Sequence, residues 1–287
     1  MKVYYNEKYM ELDEVRISPF DRGFQYADGV YEVMRTYFGK LFHVTDHLER
    51  LSDSLKAIRI KFKDIGELEN IIYKLIELNN YSDIEVSAYI QITRGEYYPR
   101  KHSFPPENVK PTVFVSLTPI TNDTKTIGKG IKVITEKDIR WLRCDIKSIS
   151  LLPSVLANQH AIDEGANEAV WVRDGILYEG SHTNFWAVKG DSVWTAPLSN
   201  YILPGISRKV LIKVCMENNI GVIEDLIRKD ELDLYDEFFI TGTTTEVKPI
   251  IQIDYMRVGD GKPGKFTKRI QSLLFDYVNS KRWIEIP

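Results

Sequence analysis

The sequence predicts an α+β fold in two domains. Three observations carry that expectation. The chain has 287 residues, more than one small core uses. Strand-type and helix-type hydrophobic periods follow one another along both halves. Between the halves, Thr118 to Lys129 (TPITNDTKTIGK) loses its apolar period, is polar and ends near a glycine, as a linker does. The expected domains are 1–118 and 130–287, with 119–129 joining them.

The elements follow in order. Val30 to Val44 is rich in β-branched and aromatic residues and is broken at Phe38-Gly39-Lys40, which signals a hairpin. His47 to Ile58 places Leu48, Leu51, Leu55 and Ile58 at three- and four-residue steps, an amphipathic helix. Ile65 to Leu78 repeats the pattern through Ile71, Ile72, Leu75 and Ile76. Strands are expected at Ile84 to Thr93 and Thr112 to Leu117. Beyond the linker, Asp174-Gly175 and Gly190-Asp191 are two-residue turns inside apolar runs, and so mark two more hairpins. The stretch LLPSVLANQHAI, Ser207 to Asn218 and Thr267 to Lys281 are expected helices.

Composition excludes several classes of function. The net charge of −3 has its basic residues scattered, which gives no case for nucleic acid or an anionic membrane. No apolar run approaches the roughly 20 residues that span a bilayer, and the first residues lack the apolar stretch of a signal peptide. The cytoplasm is the expected location. Cys144 and Cys215 lie in apolar surroundings without a CxxC pair, so buried reduced thiols are expected and a thiolate metal site is not.

Five places could carry chemistry. Leu203-Pro204-Gly205-Ile206-Ser207 leads into a helix, whose open N–H groups and dipole favour an anion, with Ser207 able to cap it. Gly242-Thr243-Thr244-Thr245 follows a buried-strand run, where hydroxyls and a glycine suit a phosphate. Arg50, three residues after His47 on one helix face, adds a fixed cation. With no Walker loop and no GxGxxG, a nucleotide is a poor candidate for the phosphate carrier. Lys147, in CDIKSI, has apolar neighbours; desolvation frees a lysine amine as a nucleophile. Glu179, in YEGSHTN, ends an apolar strand, where a carboxylate can hold a pyridine nitrogen protonated. Singly, each also has a bland reading: a capped helix, a polar turn, a solvated charge.

Together and in this order, the motifs resemble the fold-type IV pyridoxal-phosphate enzymes. The resemblance runs from SPFDRGFQYADGVYEVMR (Ser18 to Arg35) to EVKPI (Glu246 to Ile250). It is nearest to bacterial D-amino-acid aminotransferases, through DIRWLRCDIKSISLLPSVLANQ, YEGSHTN and ITGTTTEVKPI. It implies a smaller N-terminal α/β domain, a larger C-terminal pseudo-barrel domain, and a pyridoxal 5′-phosphate cofactor at their interface. Lys147 then matches the Schiff-base lysine, Glu179 the partner of the pyridine nitrogen, and Arg50 the phosphate-gripping arginine. Ile206, Ser207 and Thr243 match further phosphate contacts, and Leu203 the apolar residue on the cofactor ring. Where close D-specific relatives have serine, this chain has Gly242.

The resemblance also bears on handedness. Tyr31 with Arg100 and His102 resembles the carboxylate trap of the D-specific enzymes, and Arg-x-His in an extended segment would aim both side chains one way. In the family this loop comes from the neighbouring subunit, which implies a homodimer. The implied reaction is a ping-pong transamination between a D-amino acid such as D-alanine and a 2-oxo acid such as 2-oxoglutarate or pyruvate. Branched-chain L-aminotransferase and aminodeoxychorismate lyase are alternatives on the same fold. A non-catalytic cofactor-binding protein is the alternative of another class.

Overall fold

A computed structural model describes residues 1–120 and 128–284. Contacts group these into two units. The first holds the described residues up to 120 and also Ile146–Ser150; the second holds the remainder.

In the first unit the strands are β1 (Lys2–Tyr5), β2 (Lys8–Glu11), β3 (Gly29–Tyr37), β4 (Lys40–Leu41), β5 (Val86–Thr93) and β6 (Thr112–Pro119). They form one antiparallel sheet in the order β2-β1-β6-β5-β3-β4. The expected hairpin turns at Phe38 and Gly39, both with positive φ, and pairs Tyr37 with Lys40. A short helix α1 (Arg22–Tyr26) precedes β3; α2 (Val44–Ala57) and α3 (Glu67–Leu78) fall where the periodicity puts them, within three residues. Alternation along the strands sends Val30, Met34, Ala88, Ile90, Val113 and Val115 into one core with Leu51, Leu55, Leu68 and Ile72 of the helices. Ile146 joins that core, which ties 146–150 to this unit rather than to the C-terminal domain where chain order puts it.

The linker expectation is partly corrected. Thr118 and Pro119 continue β6, opposite Ser87 and Val86. A proline is tolerated there because β1 pairs with β6 at Phe114 and Val115, leaving this end without a second strand neighbour among the described residues. Residues 121–127 of the expected linker lie outside the described residues.

The second unit contains β7 (Ile131–Lys137), α4 (Leu152–Asp163), β8 (Glu168–Arg173), β9 (Ile176–Gly180), β10 (Asn184–Lys189), β11 (Ser192–Thr195), α5 (Ile206–Glu217), β12 (Gly221–Glu224), β13 (Ile227–Arg228), β14 (Glu237–Gly242), β15 (Glu246–Ile253), β16 (Met256–Arg257) and α6 (Lys265–Asn279). Both two-residue hairpin turns form, at Asp174-Gly175 and Gly190-Asp191. Strands β10-β14-β15-β7-β8-β9 run in sequence, and the pair Asn184↔Glu179 joins β9 back to β10. That closes a six-stranded barrel. Period-two alternation divides its walls: Phe185, Ala187, Phe238 and Ile240 fill the interior. Trp186, Val188 and Phe239 face outward onto Leu211 and Cys215 of α5 and Ile270 of α6. Ala169 and Trp171 of β8 pack on Ala157 and Ala161 of α4.

Cys144 and Cys215 are both free and buried, as expected. Burial pushes their thiols up, to about 11 and about 12 respectively. Among the described residues no helix is long and apolar enough to cross a membrane, and no group of His, Cys, Asp and Glu could hold a metal ion.

Candidate active site

In the first unit, residues 146–150 lie against the start of β3. Tyr31 N donates to Lys147 O at 3.0 Å and Ile149 N to Gly29 O at 3.1 Å. Lys147 N donates to Ser54 Oγ of α2 at 3.2 Å. The backbone is therefore held on two sides, and the half-buried Lys147 side chain ends 4.3 Å from the centre of the Tyr31 ring. Tyr31 packs on Tyr89 of β5, whose hydroxyl donates to Gln91 Oε1 at 2.6 Å. Burial pushes the Tyr89 phenol up to about 12.

Arg50 stands beside this segment's helix face as part of a buried charge cluster. Its Nε and Nη2 donate to the two oxygens of Glu32 at 3.0 and 2.5 Å, and His47 Nδ1 lies 2.9 Å from Glu32 Oε1. The spacing of His47 and Arg50 thus does put both on one face, and Glu32 of β3 is what they share. Burial works against the Glu32 carboxylate, but the charges of Arg50 and His47 outweigh it and hold Glu32 well below the usual carboxylate range. Burial also pushes the His47 imidazole down, against the pull of Glu32. The carboxylate fixes the plane of the guanidinium, which preorganises it for an anion.

A stability prediction arises here. Glu32→Gln replaces the counter-charge of a buried guanidinium by a neutral amide, which should lower the unfolding free energy at neutral pH by about 3–5 kcal/mol. Because its folded pKa is depressed, the Glu32 contribution is complete above the unfolded carboxyl value of about 4.3 and is lost as pH falls below it. Urea titrations should show the parent losing stability below that pH more steeply than Glu32→Gln. Equal slopes for the two would contradict the assignment.

Arg100 and His102 do not lie on a strand; they are exposed in the connection between β5 and β6. The period-two argument is therefore corrected: a loop, not an extended segment, brings them together. Their shared platform is Tyr26, with the Arg100 guanidinium 4.4 Å and the His102 ring 5.3 Å from its ring centre.

In the second unit the barrel closes at Glu179, and a polar network forms around that closure. Glu179 is 4% exposed. Its Oε1 accepts from Arg140 Nη1 at 2.5 Å; its Oε2 accepts from Leu203 N at 2.9 Å and Asn184 Nδ2 at 3.4 Å. Asn184 also donates to Leu203 O at 3.0 Å, so Leu203 is held by both its peptide groups. Burial pushes the Glu179 carboxyl up, while Arg140 and the Leu203 N–H pull it back. Arg140 is itself gripped by Asp138 through Nε and Nη2, each at 3.0 Å. Neither Arg140 nor Asn184 is singled out by sequence; Asp138-x-Arg140, an acid–base pair two apart, is the faint signal.

The start of α5 adjoins this network. Gly205 is its N-cap, with Ile206 and Ser207 as the first helical residues and no side-chain cap. The expectation that Ser207 caps the helix is corrected: the helix begins one residue earlier, so the hydroxyl belongs to the first turn. Glycine is required at 205, since a Cβ there would stand 1.9 Å from Asn184 Oδ1. Arg208 turns away, to Ala196 O and Glu224. Thr243 lies half-buried in the turn between β14 and β15. A Cβ on Gly242 would meet Thr183 and Thr245 at 3.5 Å, ordinary contact, so glycine in place of serine changes the chemistry rather than the space. Buried Glu168 organises the loop after Glu179, accepting from Ser181 N, Ser181 Oγ and Thr183 Oγ1.

Each unit thus presents its own set of groups. The first has an amine beside an aromatic ring and a preorganised guanidinium. The second has an uncapped helix start next to a buried carboxylate. Residues 29–253 match the amino-transferase class IV family.

The chain is a member of the class IV aminotransferases. A D-alanine aminotransferase from Staphylococcus haemolyticus is 38% identical to it over 98% of this chain and 99% of that one. Among solved structures, the Escherichia coli branched-chain amino acid aminotransferase superposes with a TM-score of 0.88 at 25% identity, over 96% of this chain and 93% of that one. The branched-chain amino acid aminotransferase of Thermoproteus uzoniensis, solved with norvaline, gives a TM-score of 0.85 at 26% identity, over 98% and 96%. The barrel and the sheet of this aminotransferase are those expected of the family.

Proposed function

We propose that this aminotransferase moves the amino group between a D-amino acid, such as D-alanine, and a 2-oxo acid, such as pyruvate or 2-oxoglutarate, with pyridoxal 5′-phosphate as cofactor. The observation that supports the D reading is the pairing of Arg100 with His102 on Tyr26, which would suit a carboxylate. Full-length similarity to D-alanine aminotransferases at 38% identity points the same way. Likeness to branched-chain enzymes at 25% identity reflects the shared fold, which serves both hands.

The residues fit the cofactor. The helix start at Gly205-Ile206-Ser207 has N–H groups and no competing cap, which suits a phosphate. In this reading Thr243 and the Arg50 guanidinium would supply further phosphate contacts. Glu179 suits the pyridine nitrogen: burial pushes its carboxyl up, Arg140 offsets part of that, and Leu203 and Asn184 fix its direction. Leu203, held at N and O, offers its side chain to the ring. When bound, the cofactor supplies an aldehyde and an electron-withdrawing ring. In this reading the Lys147 amine would hold the cofactor and would move the proton at the substrate Cα. Tyr31, its ring centre 4.3 Å from Lys147 Nζ, would orient that amine and face the substrate carboxylate.

The handedness follows from placement. Lys147 serves one side, so the groups that hold the carboxylate decide which enantiomer presents its hydrogen there. Arg100 and His102 act in the partner's site of a homodimer in this reading. Exposed apolar side chains support such a dimer: Leu152, Val155 and Leu156 of α4 are 68, 59 and 57% exposed, and Ile139, Trp141 and Leu142 are exposed too. The cytoplasm is the proposed location. Arg100→Ala and His102→Ala should raise KM for D-alanine and pyruvate by about ten-fold or more each, the value of a charge-assisted hydrogen bond. Unchanged KM in steady-state assays of both variants would remove them from the carboxylate site.

A further inference from the structure

The loop carrying Arg100 and His102 has exposed side chains but a clamped backbone. The clamp is Arg22, in α1 and buried. Its Nη1 donates to Lys101 O at 2.7 Å and Ser103 O at 3.2 Å, and its Nη2 to His102 O at 3.4 Å. Three successive carbonyls are thus fixed to one planar group. The third nitrogen, Nε, donates to Asp28 at 2.8 Å. Asp28 is gripped from its other side by Arg94, through Nε at 2.7 Å and Nη2 at 2.8 Å. Arg94 in turn donates to Ile58 O and Arg59 O, just past the end of α2. Asp28 directly precedes β3, the strand of Tyr31. One relay therefore fixes the loop to the strand of Tyr31 and to the helix of Arg50.

Tyr26, the last residue of α1, does the same for the side chains. The Arg22 guanidinium lies 4.7 Å from its ring centre and that of Arg100 4.4 Å; the His102 ring lies 5.3 Å away. An aromatic face attracts guanidinium groups and gives a flat support to both. The Tyr26 hydroxyl makes no hydrogen bond among the described residues, so the ring rather than the hydroxyl does the holding.

We propose that Arg22 and Tyr26 are positioning residues for the substrate carboxylate, Arg22 through the backbone of residues 101–103 and Tyr26 through the side chains of Arg100 and His102. This rests on the reading that Arg100 and His102 receive that carboxylate. Lysine cannot replace Arg22, because a single ammonium lacks the planar fork that reaches three carbonyls and Asp28 together.

The test is a set of holoenzyme variants: Arg22→Lys, Tyr26→Leu, Tyr26→Phe, Arg100→Ala and the double variant Arg22→Lys/Arg100→Ala. Arg22→Lys and Tyr26→Leu should each raise KM for D-alanine and pyruvate by about ten-fold or more, with kcat falling less, as misplacement of a binding group does. Tyr26→Phe should behave as the parent. Arg22→Lys should add less in the Arg100→Ala background than it does alone, since only His102 is then left to misplace. Should Arg22→Lys fail to fold, the two Tyr26 variants decide. The proposal is overturned if the variants lose stability or kcat at unchanged KM, or if the effects of Arg22→Lys and Arg100→Ala simply add. If Arg100→Ala raises KM and Arg22→Lys does not, the clamp alone fails. If Arg100→Ala leaves KM unchanged, the carboxylate reading fails and takes the clamp with it.

Discussion

Lys147→Ala should lower transamination turnover by about 10³–10⁴-fold, the loss expected when one positioned side chain supplies both nucleophile and proton transfer. That corresponds to about 4–5 kcal/mol of barrier at 1.36 kcal/mol per ten-fold. The fold should survive. The contacts that seat this segment are backbone ones, Lys147 O with Tyr31 N and Lys147 N with Ser54 Oγ, and alanine keeps both. Borohydride treatment followed by peptide mapping should fix one cofactor to the Lys147 peptide of the parent and none to the variant. Added primary amines should restore part of the turnover. Full activity in a properly folded Lys147→Ala enzyme would contradict the assignment.

Glu179→Gln should have the second largest effect, about 10²-fold or more on kcat, since a preorganised charge at the electron-withdrawing ring is removed. The amide oxygen can still accept from Leu203 N, so the Leu203 seat is largely kept. What is lost is the negative charge that meets Arg140 and that, in the proposed reading, would keep a pyridine nitrogen protonated. Arg140 retains its fork to Asp138, which limits the stability cost. The expected signature is therefore a fall in kcat with little change in melting temperature. A large loss of melting temperature with kcat intact would mark Glu179 as a structural ion-pair partner of Arg140 instead.

Much of the fold was legible in the residues because it depends on local period. Leu48, Leu51 and Leu55 specify α2 by their steps, and the turn residues Asp174-Gly175 and Gly190-Asp191 specify hairpins by their backbone preference. The misses are long-range. Nothing near Thr118 says that β6 continues through it, because the pairing with Ser87 does that. Nothing near Lys147 says that Ile146 enters the core of the first unit. Ser207 follows Gly205 closely enough to suggest a cap, but the proline–glycine entry starts the helix at Ile206.

The site divides in the same way. Lys147, Glu179 and the two loops at 205–207 and 243–245 were legible because motif order carries them. Glu32, Arg140, Arg22 and Tyr26 were not. Taken singly, a buried arginine and a solvated one look alike in sequence; only burial against Asp138, Asp28 or Glu32 tells them apart. Two of the pairings are also distant in the chain, Glu32 from Arg50 by a strand and a turn and Arg140 from Glu179 by a helix and two strands.

The central claim is that this class IV aminotransferase takes D-amino acids. The most direct measurement is the absorbance change of the cofactor-loaded enzyme mixed, without any 2-oxo acid, with D-alanine and separately with L-alanine and L-leucine. The account predicts rapid loss of the resting cofactor band with D-alanine and little change with either L-amino acid. Rapid loss with L-leucine and none with D-alanine would contradict it.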